Sequence, residues 1–223
     1  MQSEATLPYH HYERPEVVDV VRPAGRRILD VGCAAGAMGA LMVRRGAREV
    51  VGLERHPGAV AEARVRLTAV CEVDLETLVE LPYPDGHFDC MVFADVLEHL
   101  RDPQDLLSRL RRYVAADGCI VCSIPNVRHE SVLMPLLLDG KFTYQDEGVL
   151  DRTHLRFFTA HEILGLLGAA GFELAGEVRV NRTRPSPWLD TVADVVRRLG
   201  GDDHRYREEA TIVQYILRAR PRG

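Results

Sequence analysis

The chain has 223 residues, 28 Lys plus Arg against 33 Asp plus Glu, a formal net charge of −5, and 46% hydrophobic content. This size fits one domain with room for additions, and the apolar content excludes a disordered chain. The acidic balance argues against a phosphate-coating nucleic-acid binder, and no apolar run approaches the roughly 18 residues of a membrane-spanning helix.

The opening stretch, MQSEATLPYHHYERPE, lacks a basic start followed by an apolar core, so no secretory signal is expected. Tyr9, Tyr12 and Arg14 lie there between Pro8 and Pro15. They read either as a frayed terminus or as a cover over a bound ligand. Arg26 to Val31 then forms a short apolar run ending in Gly32. Further strands are expected at Glu49–Leu53, Phe88–Phe93 and Cys119–Ile124, with a weaker one at Ala69–Val73. Continuous apolar runs of this kind suit parallel strands covered on both faces. Helices are expected between them, at Ala37–Arg45 and Gly58–Leu67. A third begins at Asp102, with Pro103 in its first turn and Leu106, Leu107 and Leu110 on one face. Thr159 and Glu162 form a capping box that opens a fourth, closed by Gly171. The chain ends in two strand-like segments, Phe172–Val180 and Ala210–Ala219, around a short helix at Leu189–Leu199.

Alternating strands and helices predict an α/β doubly wound sheet with helices on both faces. The two late strands, lacking a full crossover helix between them, predict an antiparallel addition. The polar stretch from Pro125 to Phe158 breaks the alternation just beyond a central strand, where open α/β sheets bind ligands. The five cysteines sit in or beside apolar runs and read as reduced thiols of a cytoplasmic protein. Cys119 and Cys122 have the spacing of a redox or zinc pair, but on a strand their side chains point to opposite faces.

The chemistry concentrates in the first βα turn. The strand Ile28-Leu29-Asp30-Val31 runs into Gly32-Cys33-Ala34-Ala35-Gly36-Ala37-Met38-Gly39 and a helix start. Small residues permit close backbone approach, and the helix end offers free N–H groups. Glu54, at the end of the second strand, is placed to accept both ribose hydroxyls of an adenosine ligand. Asp30 ahead of the loop would repel a pyrophosphate but suits an ammonium, which favours S-adenosylmethionine over a nicotinamide dinucleotide.

LDVGCAAGAMG resembles the first motif of class I S-adenosylmethionine-dependent methyltransferases, with Ala34 where that family most often has glycine. GLERHP resembles the next, CEVDLETL the third, and FDCMVFADVLEHLRDP the fourth, in the form shared with ubiquinone-pathway O-methyltransferases. QYILRARP resembles that fold's last strand, so the likeness covers roughly residues 10 to 220. The resemblance implies a Rossmann-like class I methyltransferase fold: a seven-stranded mixed sheet with its last strand antiparallel. It implies a single domain over 1–223, with substrate-covering insertions at about 125–158 and 181–205. The implied cofactor set takes Asp30, Gly32, Cys33, Ala34 and Gly36 from the first motif, and Glu54 and Arg55 from the second. Asp74 and Leu75 would meet the adenine, Ala94 and Asp95 would line the pocket, and Tyr12 and Arg14 would close it.

Methyl transfer needs alignment and, for a hydroxyl or ammonium acceptor, a base. His154, in DRTHLRFFT, and His99, in ADVLEHL, are the candidates. Asn126, Asp151 and Arg156 are the expected acceptor contacts, while His10, His11, His56, His87, His129, His161 and His204 read as surface residues. The expected function is methyl transfer to an oxygen or nitrogen of a small molecule, leaving S-adenosylhomocysteine, by a monomer or homodimer without nucleic-acid or membrane partners. No metal is assigned, but Asp95, Glu98, His99 and His154 keep open a metal-assisted enzyme similar to 2′-O-methyltransferases. A protein that binds the cofactor without turnover is the other alternative, and a nicotinamide oxidoreductase is the rival on a similar fold.

Overall fold

The computed structural model describes residues 12–176 and 178–222. Five strands are parallel: β1 (Arg27–Val31), β2 (Glu49–Glu54), β3 (Ala69–Glu72), β4 (Phe88–Ala94) and β5 (Val114–Pro125). β6 (Phe172–Leu174) and β7 (Arg179–Arg182) both pair antiparallel with β8 (Ile212–Pro221), which pairs antiparallel with β5. The order is β3-β2-β1-β4-β5-β8-β6, with β7 beside β8. The described sheet thus has eight strands rather than seven. The single expected strand Phe172–Val180 is broken in the middle, where Gly176 takes φ +103°. Its two halves lie one after the other along the same edge of β8.

Two apolar layers cover the sheet. One joins Leu29, Val51, Met91 and Ile120 to Leu106, Leu107 and Leu110 of α4 (Pro103–Leu110) and to Ile163 and Leu167 of α6 (Ala160–Ala169). The other joins Ile28, Val50, Val92 and Val121 to α1 (Pro15–Val21), α2 (Ala37–Arg44) and α3 (Pro57–Arg66). Neighbouring strand positions face opposite layers, so Cys119 and Cys122 are separated by the sheet, and all five cysteines are unpaired. α4 begins on Asp102, which accepts from Asp105 N at 2.9 Å, and the Thr159–Glu162 capping box opens α6.

Three helices are absent from the sequence-based expectation. α1 has only seven residues, and α8 (Asp203–Ala210) is DHRYREEA, with no apolar stripe to read. α5 (Glu130–Asp139) contains Pro135 and is capped by His129, whose ring accepts from Ser131 N at 3.2 Å. His129 is therefore buried rather than a surface residue, with its other ring nitrogen 2.8 Å from Thr183 Oγ1. α7 (Leu189–Arg198) packs Ala193, Leu189 and Val192 against Leu133 of α5 and Tyr206 of α8. Among the described residues, no helix is long and apolar enough to cross a membrane.

Candidate functional site

The chain order reverses between β1 and β4, which opens a crevice beyond their carboxyl ends. The turn after β1 fills it. Gly32, Ala34 and Gly36 have φ of 71°, 47° and 79°, all in the left-handed region. A Cβ on Gly32 would lie 2.8 Å from Val96 Cγ2, so only glycine fits there. Ala34 holds the same backbone region at a cost, since L-residues avoid it by about 1 kcal/mol or more. Ala34→Gly should therefore raise stability by about 1 kcal/mol in urea unfolding, net of glycine's greater freedom when unfolded. A lowered midpoint would show that the turn carries no strain, because glycine's greater freedom when unfolded would then go uncompensated.

Two carboxylates flank this turn. Glu54 Oε2 accepts from Ala34 N at 3.0 Å, and its Oε1 accepts from Arg55 N and His56 N, both at 2.8 Å. Asp30 lies behind the turn, 0% exposed, and neither of its oxygens has a hydrogen-bond partner. Burial, with the charge of Glu54 second, pushes Asp30 up to about 7 from an ordinary 3.8. The folded protein thus holds this proton more tightly than the unfolded chain. Asp30's contribution to stability is fully favourable below about pH 4 and falls as pH rises through 7. Asp30→Asn should stabilise the ligand-free protein, with a gain that grows between pH 5 and 8 to on the order of a few kcal/mol. Parallel stability profiles for the two proteins would contradict the burial argument.

Two cavities open beside the turn. One, of about 370 Å³, is lined by Arg55, His56, Pro57, Glu72, Val73 and Asp74. The other is bounded by Tyr12, Arg14, Asp30, Gly32, Cys33, Ala34, Ala37, Met38 and Ala94. Of the expected cofactor residues, Arg55 and Asp74 line the first cavity and Tyr12, Arg14, Asp30, Gly32, Cys33, Ala34 and Ala94 the second, while Leu75 packs against the apolar layer. Cys33 packs over Gly52, where a Cβ would sit 2.4 Å from its sulfur, and burial raises its thiol pKa. Arg14 ion-pairs with Asp95 and donates to Ser123 Oγ and Gln214 Oε1, both at 2.9 Å. Tyr9 lies outside the described residues.

A second cluster follows β4. Glu98, His99 and His154 bring a carboxylate oxygen and two ring nitrogens within 4.8 Å of one another. The backbone of Leu155 and Arg156 donates to Glu98 O at 2.8 and 3.0 Å, which docks the 126–158 segment here. His154 Nδ1 is 3.1 Å from Val149 O, so it carries the proton and leaves Nε2 as the basic nitrogen. His99 Nδ1 is 3.3 Å from Thr153 O, with the same consequence, and Thr153 Oγ1 donates to Asp151 Oδ1 at 2.6 Å. Burial and His154 hold His99 below the usual histidine pKa. Glu98 is 1% exposed with both oxygens unpartnered, and burial followed by Asp95 raises its pKa well above the carboxylate range. A surface of rings extends outward from His154 through Phe157 to Phe142 and Tyr144.

Two of the expected acceptor contacts are engaged within the protein. Asn126 is 0% exposed and fully bonded: its amide donates to Glu209 O and Ile212 O at 2.9 and 2.8 Å, and its oxygen accepts from Arg128 N. It ties α8 to β5 and has no group left for a ligand. Arg156 is exposed and clasps the carbonyl of Arg101. Asp151 stays near the cluster, but its Oδ1 is taken up by Thr153. Gln214, Ser123 and Glu72 went unnoticed in the sequence, where nothing marks them. Glu98 was visible through its place beside His99.

A sequence profile described as "Methyltransferase domain" matches residues 9–176. The chain is 33% identical over 184 residues to a probable S-adenosylmethionine-dependent methyltransferase of Mycolicibacterium smegmatis, covering 78% of this chain and 65% of that protein. It is 31% identical to a ubiquinone biosynthesis O-methyltransferase of Ruegeria pomeroyi, covering 67% and 61%. The chain spans roughly half to two thirds of the length of the curated relatives it matches. Among solved structures, an S-adenosylmethionine-dependent methyltransferase from Mesorhizobium loti aligns with a TM-score of 0.63 at 18% identity, over 94% of this chain and 98% of that one. A cyclase, SpnF, aligns with a TM-score of 0.62 at 23% identity, over 93% and 82%, so the fold by itself does not specify methyl transfer. With three quarters of its length matched by the profile, on a Rossmann-like sheet closed by an antiparallel last strand, the chain belongs to the methyltransferase domain family.

Proposed function

We propose that the protein is an S-adenosylmethionine-dependent methyltransferase that acts on an oxygen or nitrogen of a small-molecule acceptor. The observation that carries this is the pair of carboxylates around one glycine-containing turn. Asp30 is buried with two unpartnered oxygens, which suits a cationic ligand group. Glu54 accepts from three backbone N–H groups and so ties Ala34, at one cavity, to Arg55 and His56, at the other. These residues fit S-adenosylmethionine, which supplies a methyl group already activated by a positive sulfonium.

Asp30 would face the ammonium and Glu54 the ribose hydroxyls. Arg55, Asp74 and Leu75 would hold the adenine end, while Tyr12, Arg14, Cys33, Ala94 and Asp95 would hold the methionine end. The acceptor approaches from the side of Glu98, where His154 Nε2 takes its proton as the methyl group is transferred. His99 supports it, and Asp151 orients His99 through Thr153. We read residues 1–223 as one domain in which segments 125–158 and 181–205 cover the acceptor. The acidic charge and the unpaired thiols support a small-molecule acceptor and a cytoplasmic setting.

Calorimetric titration with S-adenosylhomocysteine beside NADH tests the cofactor, and labelled methyl transfer tests turnover. Binding of the sulfur ligand alone is expected. Binding of NADH alone would overturn the assignment, and cofactor binding without turnover on any acceptor tried would favour a binding protein.

The cluster of Glu98, His99 and His154 favours a second reading, in which two imidazoles and a carboxylate hold a divalent ion beside the acceptor. Asp95 stands apart from this group, paired with Arg14. The readings are exclusive, because a lone pair given to a metal is not available to a proton. Activity abolished by chelator and restored by a divalent cation would select the metal-assisted enzyme.

A further inference from the structure

The ion pair at the rim of the cofactor cavity is held by a side chain far from it in sequence. Gln214 on β8 accepts from Arg14 Nη2 through Oε1 at 2.9 Å and donates through Nε2 to Asp95 Oδ1. Asn181 on β7 donates to the same Oε1 at 3.1 Å, which sets the direction of the amide. Ser123 on β5 donates to Asp95 Oδ1 at 3.3 Å, and Glu16 accepts from Arg14 Nε at 2.6 Å. Arg14 and Asp95 both have left-handed backbones, with φ of 49° and 55°, so each is held in place by its partners rather than by its own preference.

A side chain between a guanidinium and a carboxylate must accept on one side and donate on the other while remaining uncharged. A primary amide does this. A carboxylate would repel Asp95, an ammonium would repel Arg14, and an alkyl group would satisfy neither. We propose that Gln214 is a positioning residue of the cofactor site: it fixes Arg14 and Asp95 in the geometry that receives the methionine end of the cofactor. The inference rests on the S-adenosylmethionine reading above. Among the described residues, the charged groups around position 214 are Asp95 from the turn after β4 and Arg14, with Glu16 behind it, from the segment at α1; Ser123 and Asn181 are neutral.

The test is calorimetric titration of S-adenosylhomocysteine into wild type, Gln214→Glu and Gln214→Leu at pH 8 and pH 4.5, each variant compared with wild type at the same pH. At pH 8 both variants should bind about tenfold or more weakly, the scale of losing hydrogen bonds to charged partners. A protonated carboxyl offers a donor and an acceptor, as the amide does, so Gln214→Glu should regain much of its affinity at pH 4.5, near the ordinary pKa of a glutamate. Gln214→Leu should not. In turnover, both should raise the KM for the methyl donor more than they lower kcat. Wild-type affinity in both variants would overturn the proposal. So would equal losses without recovery in Gln214→Glu, which would reduce Gln214 to packing. If wild type itself fails to bind, the cofactor reading falls, and this inference with it.

Discussion

Glu54→Ala is expected to weaken S-adenosylhomocysteine binding by about 10- to 100-fold, equivalent to 1.5–3 kcal/mol for a charge-assisted hydrogen bond. Two losses combine. The ribose loses its acceptor, and the N–H groups of Ala34, Arg55 and His56 lose theirs. The second loss loosens the turn that must be shaped before the cofactor arrives, so part of the cost is preorganisation. Calorimetry on folded variant, checked by its unfolding midpoint, separates binding from stability. A dissociation constant within about twofold of wild type would remove Glu54 from the ribose and, with it, the main support for an adenosine ligand.

His154→Ala is expected to lower kcat by about 10²- to 10⁴-fold, the usual contribution of a positioned general base. Cofactor affinity should barely change, because His154 lies beyond the turn, on the segment docked to Glu98. Replacement by Gln separates the roles: it keeps polarity near Val149 O but has no basic nitrogen, so it should be nearly as slow as Ala. Single-turnover methyl transfer at saturating donor is the appropriate measurement, since slow product release would otherwise hide the step. A kcat near wild type in both variants would leave His154 with only the role of bracing the loop through Val149.

The turn proposed to hold the cofactor was largely legible in the sequence. Strand, glycine turn, helix start and the acid at the next strand's end are local features, and the backbone geometry of one βα unit places them together. The departure at Ala34 was equally visible, although its φ of 47° was not. The acceptor half was less legible. Asn126 looked available because it follows a central strand, yet α8, a helix without an apolar stripe, takes up its amide. Arg156 was expected at the acceptor and holds the carbonyl of Arg101.

By itself the sequence determined the alternating α/β order, the antiparallel ending, the loop chemistry of Asp30, Gly32 and Glu54, and the two histidines. These follow from period, composition and short spacing, which fold within one or two neighbouring elements. Only the tertiary structure decided that Asp30 is stripped of partners, that His99 and His154 meet at Glu98, and that Gln214 stands between Arg14 and Asp95. Gln214 is 200 residues from Arg14 and 119 from Asp95, and β8 brings it there by inserting beside β5. Hydrogen bonding and desolvation act over a few ångströms, so they depend on which strands become neighbours, and strand order is a property of the whole sheet rather than of any segment.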